Sequence, residues 1–409
     1  MAAPAIERLF IATQPTERWA AWVRDGRVVE FHPDSERCET SAGDIHVGRI
    51  VAVDRRLDGA FVDIGEAESG FLPLTETAEP PVEGASMIVQ IARERRGKKG
   101  PRLSGRPTLA SARLIFSPTR PGVTVSDRIT DAAERRRLDD LTNALSETGE
   151  GWIVRTAATH AEPEILRREA GRLRAAWRDI CARKQAKSSP SCVHREPAID
   201  RRLLRDHAGR FAEVIFDRRG PAQAARDWCE DLHLDIGARI VSRPPSDWAL
   251  PPIDILGQID DALDAAVDLP SGGVVRFDPT ATLTVVDVDS GRATGYAGDL
   301  GAEKVFLQTN LEATDVIADQ LRLRNIGGIV VIDFIDLRDQ AARRRVVDRL
   351  RAAVAADSAP CWVGEMSRLG LVEMTRRRRG RTLGALLTAP CKICDATGRV
   401  RRTGDDGED

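Results

Sequence analysis

The chain has 409 residues, 42% hydrophobic and 30% charged, with a formal net charge of -2 and a pI near 6.4. That length exceeds one ordinary hydrophobic core and predicts roughly two to four subdomains. The near-neutral balance excludes a nucleic-acid binder held by bulk charge alone, and no stretch of about eighteen apolar residues marks a membrane span.

In chain order, Ile6 to Ile11 and Trp19 to Val29 read as a strand pair, with Gln14-Pro15-Thr16 as a turn and Asp25-Gly26 as a second hairpin signal. From Gly43 short strands follow closely, over 45–53, 59–64, 70–74 and 87–92, the pattern of a small OB-type barrel. A basic run spans Arg93 to Arg106. Strands over 108–116 and 151–158 flank a predicted helix from Asp131 to Ser146. Leu166 to Lys184 is the clearest amphipathic helix, and Lys187-Ser-Ser-Pro-Ser191 a linker. Helices over 202–211 and 223–232 bracket a strand at 213–216. A helix over Ile253 to Val267, closed by Leu269-Pro-Ser-Gly-Gly273, precedes strands at 274–278 and 282–288. Then come a helix at 310–325, a strand at 329–334, a helix at 339–355 and a strand at 361–364, an alternation that predicts an α/β layer.

The most telling strings are Thr284-Val-Val-Asp-Val-Asp-Ser-Gly291 and Gly328-Ile-Val-Val-Ile-Asp-Phe-Ile-Asp336. Each is a β-branched apolar run ending in carboxylates, as a core strand does when it delivers charge to a sheet edge. Asp287 and Asp333 end strands separated by one helix and can converge there, with Asp289 on the same side of its strand as Asp287. Oxygen-only ligands suit a hard cation such as Mg²⁺ and phosphoryl-transfer chemistry. The alternative is that these acids cap the following helices, the role expected for Asp336.

Phe61 and Phe71 in the barrel, beside the basic run, fit a stacking platform for single-stranded nucleic acid, or else are core residues. Arg155 and Thr156 place a guanidinium fork beside a hydroxyl, able to grip a phosphate. Cys391-Lys-Ile-Cys394 has the spacing of half a zinc site, the other thiolates coming from a second copy; a redox pair and a purely structural role are the alternatives. Seven cysteines, odd and thinly spread, do not make a disulfide framework, and Met1-Ala-Ala-Pro-Ala5 lacks a signal-peptide pattern, so a cytoplasmic protein is expected. The last residues, Gly404 to Asp409, form an acidic tail.

Taken together, these residues resemble the ribonuclease E/G family. The likeness runs through Gly48-Arg-Ile-Val-Ala-Val-Asp54, Ala60-Phe-Val-Asp-Ile-Gly65, Gly70-Phe-Leu-Pro-Leu74, Arg96-Gly-Lys-Lys-Gly100 and Ile153-Val-Arg-Thr-Ala157. It continues through Leu269-Pro-Ser-Gly-Gly273, Asp287-Val-Asp-Ser-Gly291, Thr309-Asn-Leu-Glu-Ala313, Gln320-Leu-Arg-Leu-Arg324, Val331-Ile-Asp-Phe-Ile-Asp336 and Ser367-Arg-Leu-Gly-Leu-Val-Glu-Met374. The resemblance implies an α/β and α+β multidomain chain. Its parts would be an RNase H-like part in two segments (1–39 and 198–262), an inserted S1-type OB barrel (40–105), a 5′-sensor region (106–197), a DNase I-like α/β catalytic part (263–386), a zinc-link (387–398) and an acidic tail (399–409).

It also implies a Mg²⁺-dependent endoribonuclease that cuts single-stranded RNA and leaves 5′-phosphate and 3′-hydroxyl ends. Asp287 and Asp333 would hold Mg²⁺, Asp289 would orient water, and Phe61, Phe71 and Lys99 would hold RNA. Arg155 and Thr156 would bind the 5′-phosphate, and Cys391 with Cys394 would share Zn²⁺ in a homodimer. Three positions depart from the family pattern: Asp289 where Asn is common, Ser111 where Gly is common, and Lys392 where Pro is usual. No degradosome scaffold is expected in this chain. A non-catalytic RNA-binding regulator is the rival reading.

Overall fold

The computed structural model describes residues 6–394 except 15–16, 34–40, 78–79, 96–98, 187–189, 248–253, 281, 292–298, 379 and 390. Residues 187–189 of the expected linker 187–191, the basic residues 96–98, the residues after Cys394 and the acidic tail lie outside these, while Ser191 opens a strand. The chain forms two compact units, residues 1–27 with 32–253, and residues 28–31 with 254–409. Its fold is a mixed α/β one. Among the described residues no helix is long and apolar enough to cross a membrane.

In the first unit, strand Glu7–Gln14 pairs antiparallel with Glu17–Arg24 and parallel with Glu213–Phe216, which pairs parallel with Ile240–Ser242. Segments about two hundred residues apart in sequence thus share one sheet, and their near-continuous apolar runs are buried on both faces. Asp25 and Gly26 take positive φ angles of 47° and 83°, as the Asp-Gly signal requires.

The intervening segment builds a closed barrel of five strands: Ile45–Asp54, Gly59–Asp63, Gly70–Pro73, Arg102–Ser104 and Ser86–Arg93, the last returning to pair with the first. This closure is consistent with an OB-type domain. Ile50, Ala60, Val62, Ile64, Leu72, Val89, Ile91 and Leu103 fill it. Strand Ser191–His194 pairs with Ile45–Asp54, so the chain comes back to the barrel after its insertion.

The insertion is a four-stranded sheet backed by helices Ala132–Leu145 and Pro163–Ala186, with Asp131 capping the first. Leu166, Ala170, Leu173 and Ile180 lie at helical spacing on the buried stripe of the long helix and pack with Leu138, Phe116 and Trp152.

The second unit is a six-stranded sheet ordered Ala266–Asp268, Val274–Pro279, Leu283–Asp289, Gly328–Asp333, Leu371–Arg376 and Cys361–Met366. Only the central pair, Leu283–Asp289 with Gly328–Asp333, runs parallel; the other pairings are antiparallel. Helices Asp299–Leu323 and Gln340–Val354 contribute Ala313, Ile317, Leu321, Val346 and Leu350 to one core with Val286, Val288, Val330 and Ile332. Each such buried Val, Leu or Ile side chain contributes roughly 1.5–3 kcal/mol.

Four expectations are corrected. The helix predicted over Ile253 to Val267 is the short helix Ile255–Asp261 followed by the edge strand Ala266–Asp268. Leu269-Pro-Ser-Gly-Gly273 does not end a helix: Gly272, at φ 88°, lets the chain fold back so that strand 266–268 pairs with Val274–Pro279. Asp336 does not cap the next helix; Asp339 does, accepting from the backbone N–H groups of Ala341 and Ala342. Strand Leu371–Arg376 adds an antiparallel member inside what the alternation suggested was a simple α/β layer.

Candidate active site

In strand Leu283–Asp289 the alternation buries Thr284, Val286 and Val288 against the helices and turns Val285, Asp287 and Asp289 to the opposite face. Strand Gly328–Asp333 repeats the pattern, burying Val330 and Ile332 and exposing Asp333. In the parallel register Asp287 stands directly beside Asp333, on strands about 4.8 Å apart. Asp287 is half-buried, while Asp289 and Asp333 are exposed.

Asp289 accepts a hydrogen bond from the backbone N–H of Gly291 at 2.9 Å, a local turn. Neither Asp287 nor Asp333 caps a helix or forms an ion pair among the described residues. Burial, then the charges of Asp333 and Asp289, push the Asp287 carboxyl above its ordinary range, and Arg276 on the neighbouring strand offsets this only in part. Three carboxylates that Arg276 offsets only in part, all oxygen donors, fit a hard divalent ion.

Sequence reasoning missed Asn310. It is fully buried, donates from Nδ2 to the Ile335 carbonyl at 2.8 Å and accepts from the Ile335 N–H at 3.1 Å, clamping the backbone two residues past Asp333. The signal was a polar residue on the apolar stripe that continues through Ala313 and Ile317. Glu312 was missed too; it accepts from the Ser271 backbone N–H at 2.9 Å and so steadies the turn before strand Val274–Pro279.

On the barrel, Phe61 and Phe71 are cross-strand partners with ring centroids 5.7 Å apart, edge to face. Both are half-buried on its outer side rather than in its core. Gly59 makes room for this: a Cβ there would lie 2.2 Å from the Phe71 ring. Lys99 is exposed, and Arg49, Arg93 and Arg102 are exposed on barrel strands. The Phe71 N–H donates to the Pro101 carbonyl at 2.8 Å, which ties the segment after Lys99 to the aromatic pair.

Arg155 follows strand Gly151–Val154, donates to the Ser111 carbonyl at 2.7 Å and forms an ion pair with Asp206 at 2.6 Å. Its guanidinium is therefore held in place and partly neutralised. The Thr156 hydroxyl lies 3.2 Å from that of Ser126. Cys391 is exposed, and the backbone N–H groups of Cys394 and Ile393 hold its thiol below the usual range, which favours the thiolate a metal needs. The structure thus groups Asp287, Asp289 and Asp333, groups Phe61 with Phe71, and sets Cys391 beside Cys394.

Residues 108–379 match the family described as the Ribonuclease E/G family. Ribonuclease G of Haemophilus influenzae is 33% identical over 421 residues, covering 97% of this chain and 84% of that protein. Ribonuclease G of Escherichia coli is 31% identical over 414 residues, covering 96% and 84%. Ribonuclease E of Haemophilus influenzae is 35% identical over 416 residues, but the chain spans only 44% of its length. On this likeness and the matched region, the chain belongs to the ribonuclease E/G family.

Proposed function

We propose that this chain cleaves single-stranded RNA with a Mg²⁺ ion held by Asp287 and Asp333, leaving 5′-phosphate and 3′-hydroxyl ends. As a member of its family it is an endoribonuclease, a hydrolase. The observation that carries the metal reading is the parallel register pairing of Asp287 with Asp333 on the open sheet face, with no ion pair among the described residues. The ion, when bound, would supply Lewis acidity toward the scissile phosphate and its bound water. Asp289 accepts a proton or orients the attacking water from the same face. Asn310 positions the backbone that follows Asp333.

Phe61 and Phe71 stack bases and Lys99 neutralises phosphate, the division of labour of single-strand platforms. Arg155 and Thr156 receive a 5′-phosphate, Arg155 exchanging part of its pairing with Asp206. Cys391 and Cys394 supply two thiolates to a zinc ion completed by a second copy of the chain, giving a homodimer. The boundaries 1–39, 40–105, 106–197, 198–262, 263–386 and 387–398 follow for the RNase H-like, S1, sensor, RNase H-like, DNase I-like and zinc-link parts. The closed barrel and the sheet joining residues 7–14 to 213–216 support them.

The test is a labelled single-stranded oligoribonucleotide incubated with Mg²⁺ or with EDTA, in 5′-phosphate and 5′-hydroxyl forms, beside the matching DNA. Mg²⁺-dependent cutting of RNA alone, faster with the 5′-phosphate, is expected. Tight binding without cuts would sink the catalytic reading in favour of an RNA-binding regulator.

A further inference from the structure

We propose that Asp44, His46 and Cys192, at the base of the barrel, bind a thiophilic divalent metal ion, Zn²⁺ being the one their donor set fits. Asp44 immediately precedes strand Ile45–Asp54, and His46 is its second residue. Cys192, on strand Ser191–His194, is the cross-strand partner of His46, which brings Cβ atoms to about 4.5–5.5 Å. A carboxylate oxygen, a ring nitrogen and the thiol sulfur lie within 4.8 Å of one another.

His46 is only 4% exposed. Its Nδ1 lies 3.1 Å from the Ile64 carbonyl, a distance at which it donates and leaves the lone pair on Nε2. Nε2 is buried without a hydrogen-bond partner among the described residues. A ring nitrogen oriented through its other N–H by a backbone carbonyl is the usual arrangement of a metal-binding histidine. Asp44, 2% exposed, is held by the backbone N–H groups of Ser41 at 3.0 Å and Glu196 at 2.8 Å, with the Arg195 guanidinium at 3.8 Å.

The Cys192 thiol sits 3.4 Å from the His194 carbonyl; on coordination it releases its proton to solvent and the thiolate ligates. Glu66 adds a carboxylate to this corner, its Oε1 buried without a partner among the described residues and its charge acting on His46. One sulfur, one nitrogen and one oxygen with a fourth position left open is a zinc donor set, whereas Mg²⁺ and Ca²⁺ select oxygen alone. The ion would clamp the strand that opens the barrel to the strand that returns after the insertion. This site shares no residue with the Cys391 and Cys394 pair.

The experiment uses the full chain carrying Cys391→Ser and Cys394→Ser, titrated with Co²⁺ and followed by absorption. One equivalent should bind with a thiolate-to-cobalt charge-transfer band that Zn²⁺ displaces and Mg²⁺ does not. Adding Cys192→Ser, nearly isosteric, should abolish the band with circular dichroism unchanged, and His46→Gln should weaken binding at least about tenfold. If His46→Gln fails to fold, the Cys192→Ser result decides. Absence of the band, or its survival in Cys192→Ser, would overturn the proposal.

Discussion

The second unit holds carboxylates of two kinds. Asp357 is 6% exposed and grips Arg376, 4% exposed, through a 2.7 Å bond to Nε; Arg376 also donates to the Ile326 carbonyl at 3.0 Å. Asp287, Asp289 and Asp333 stand together on an open face with no ion pair among the described residues, and their mutual repulsion helps push Asp287 upward. Where the chain supplies its own cation the charge is structural. Where it gathers like charges and supplies only the partial offset of Arg276, the remaining compensating charge must come from outside, and an open face leaves it a way in.

The sharpest way to break this contrast is to exchange the two phenotypes. Asp333→Asn should lower single-turnover RNA cleavage by about 10³-fold or more, since several kcal/mol of transition-state stabilisation depends on the ion. Its thermal stability should stay within about 0.5 kcal/mol of the parent, as for an exposed substitution. Retained turnover would refute the assignment. Asp357→Ala should do the reverse: a loss of about 3–5 kcal/mol in chemical denaturation, from a buried guanidinium left without its partner. If Asp357→Ala left stability intact, burial and pairing would not be the rule that separates the two sets.

The sequence made one of these sets easy to see. Apolar runs ending in Asp287 and Asp333 declare strands that deliver charge, and period-two alternation places both acids on one face without reference to anything distant. Four of the five barrel strands were legible for the same local reason; the short Arg102–Ser104 lay hidden in the basic run. Asp357 with Arg376 was not, because a pair nineteen residues apart is made by the return of strand Leu371–Arg376, whose buried face of Val372 and Met374 ends in a charged residue. Strand Ala266–Asp268 reads as a helix end because three residues are too few to show a period and the Gly-Gly turn serves either role, whereas its partner strand at 274–278 was legible. Asn310 was hidden because its partner, the Ile335 backbone, carries no side-chain signal. The Asp44, His46 and Cys192 group needed a cross-strand register that no local pattern encodes.

A smaller effect tests the barrel face in the same terms, aromatic against basic. Phe71→Ala should weaken binding of a single-stranded oligonucleotide by about 1–3 kcal/mol with the salt dependence unchanged. Lys99→Ala should weaken it less but reduce the slope of log affinity against log salt by about 1. Fluorescence anisotropy across a salt series separates the two. Equal slopes in both variants would remove Lys99 from the phosphate contacts.

The mildest test asks whether a paired carboxylate declares itself through pH. Glu134 receives Arg137 at 2.8 and 2.7 Å and the backbone N–H of His160 at 2.7 Å, the latter presented by a left-handed residue at φ 58°. The Arg137 hydrogen bonds first, and then that N–H, lower its pKa from 4.5 to about 2. Between those values the unfolded chain binds more protons than the folded one, so stability rises with pH there. It is fully present above 4.5 and lost as pH falls through about 2. Glu134→Gln keeps an acceptor for the His160 N–H but cannot titrate, so its stability should change less over that window than the parent's. Denaturant midpoints measured across it give the comparison; parallel curves for parent and variant would mean that the Arg137 pairing contributes nothing to the fold's resistance to acid.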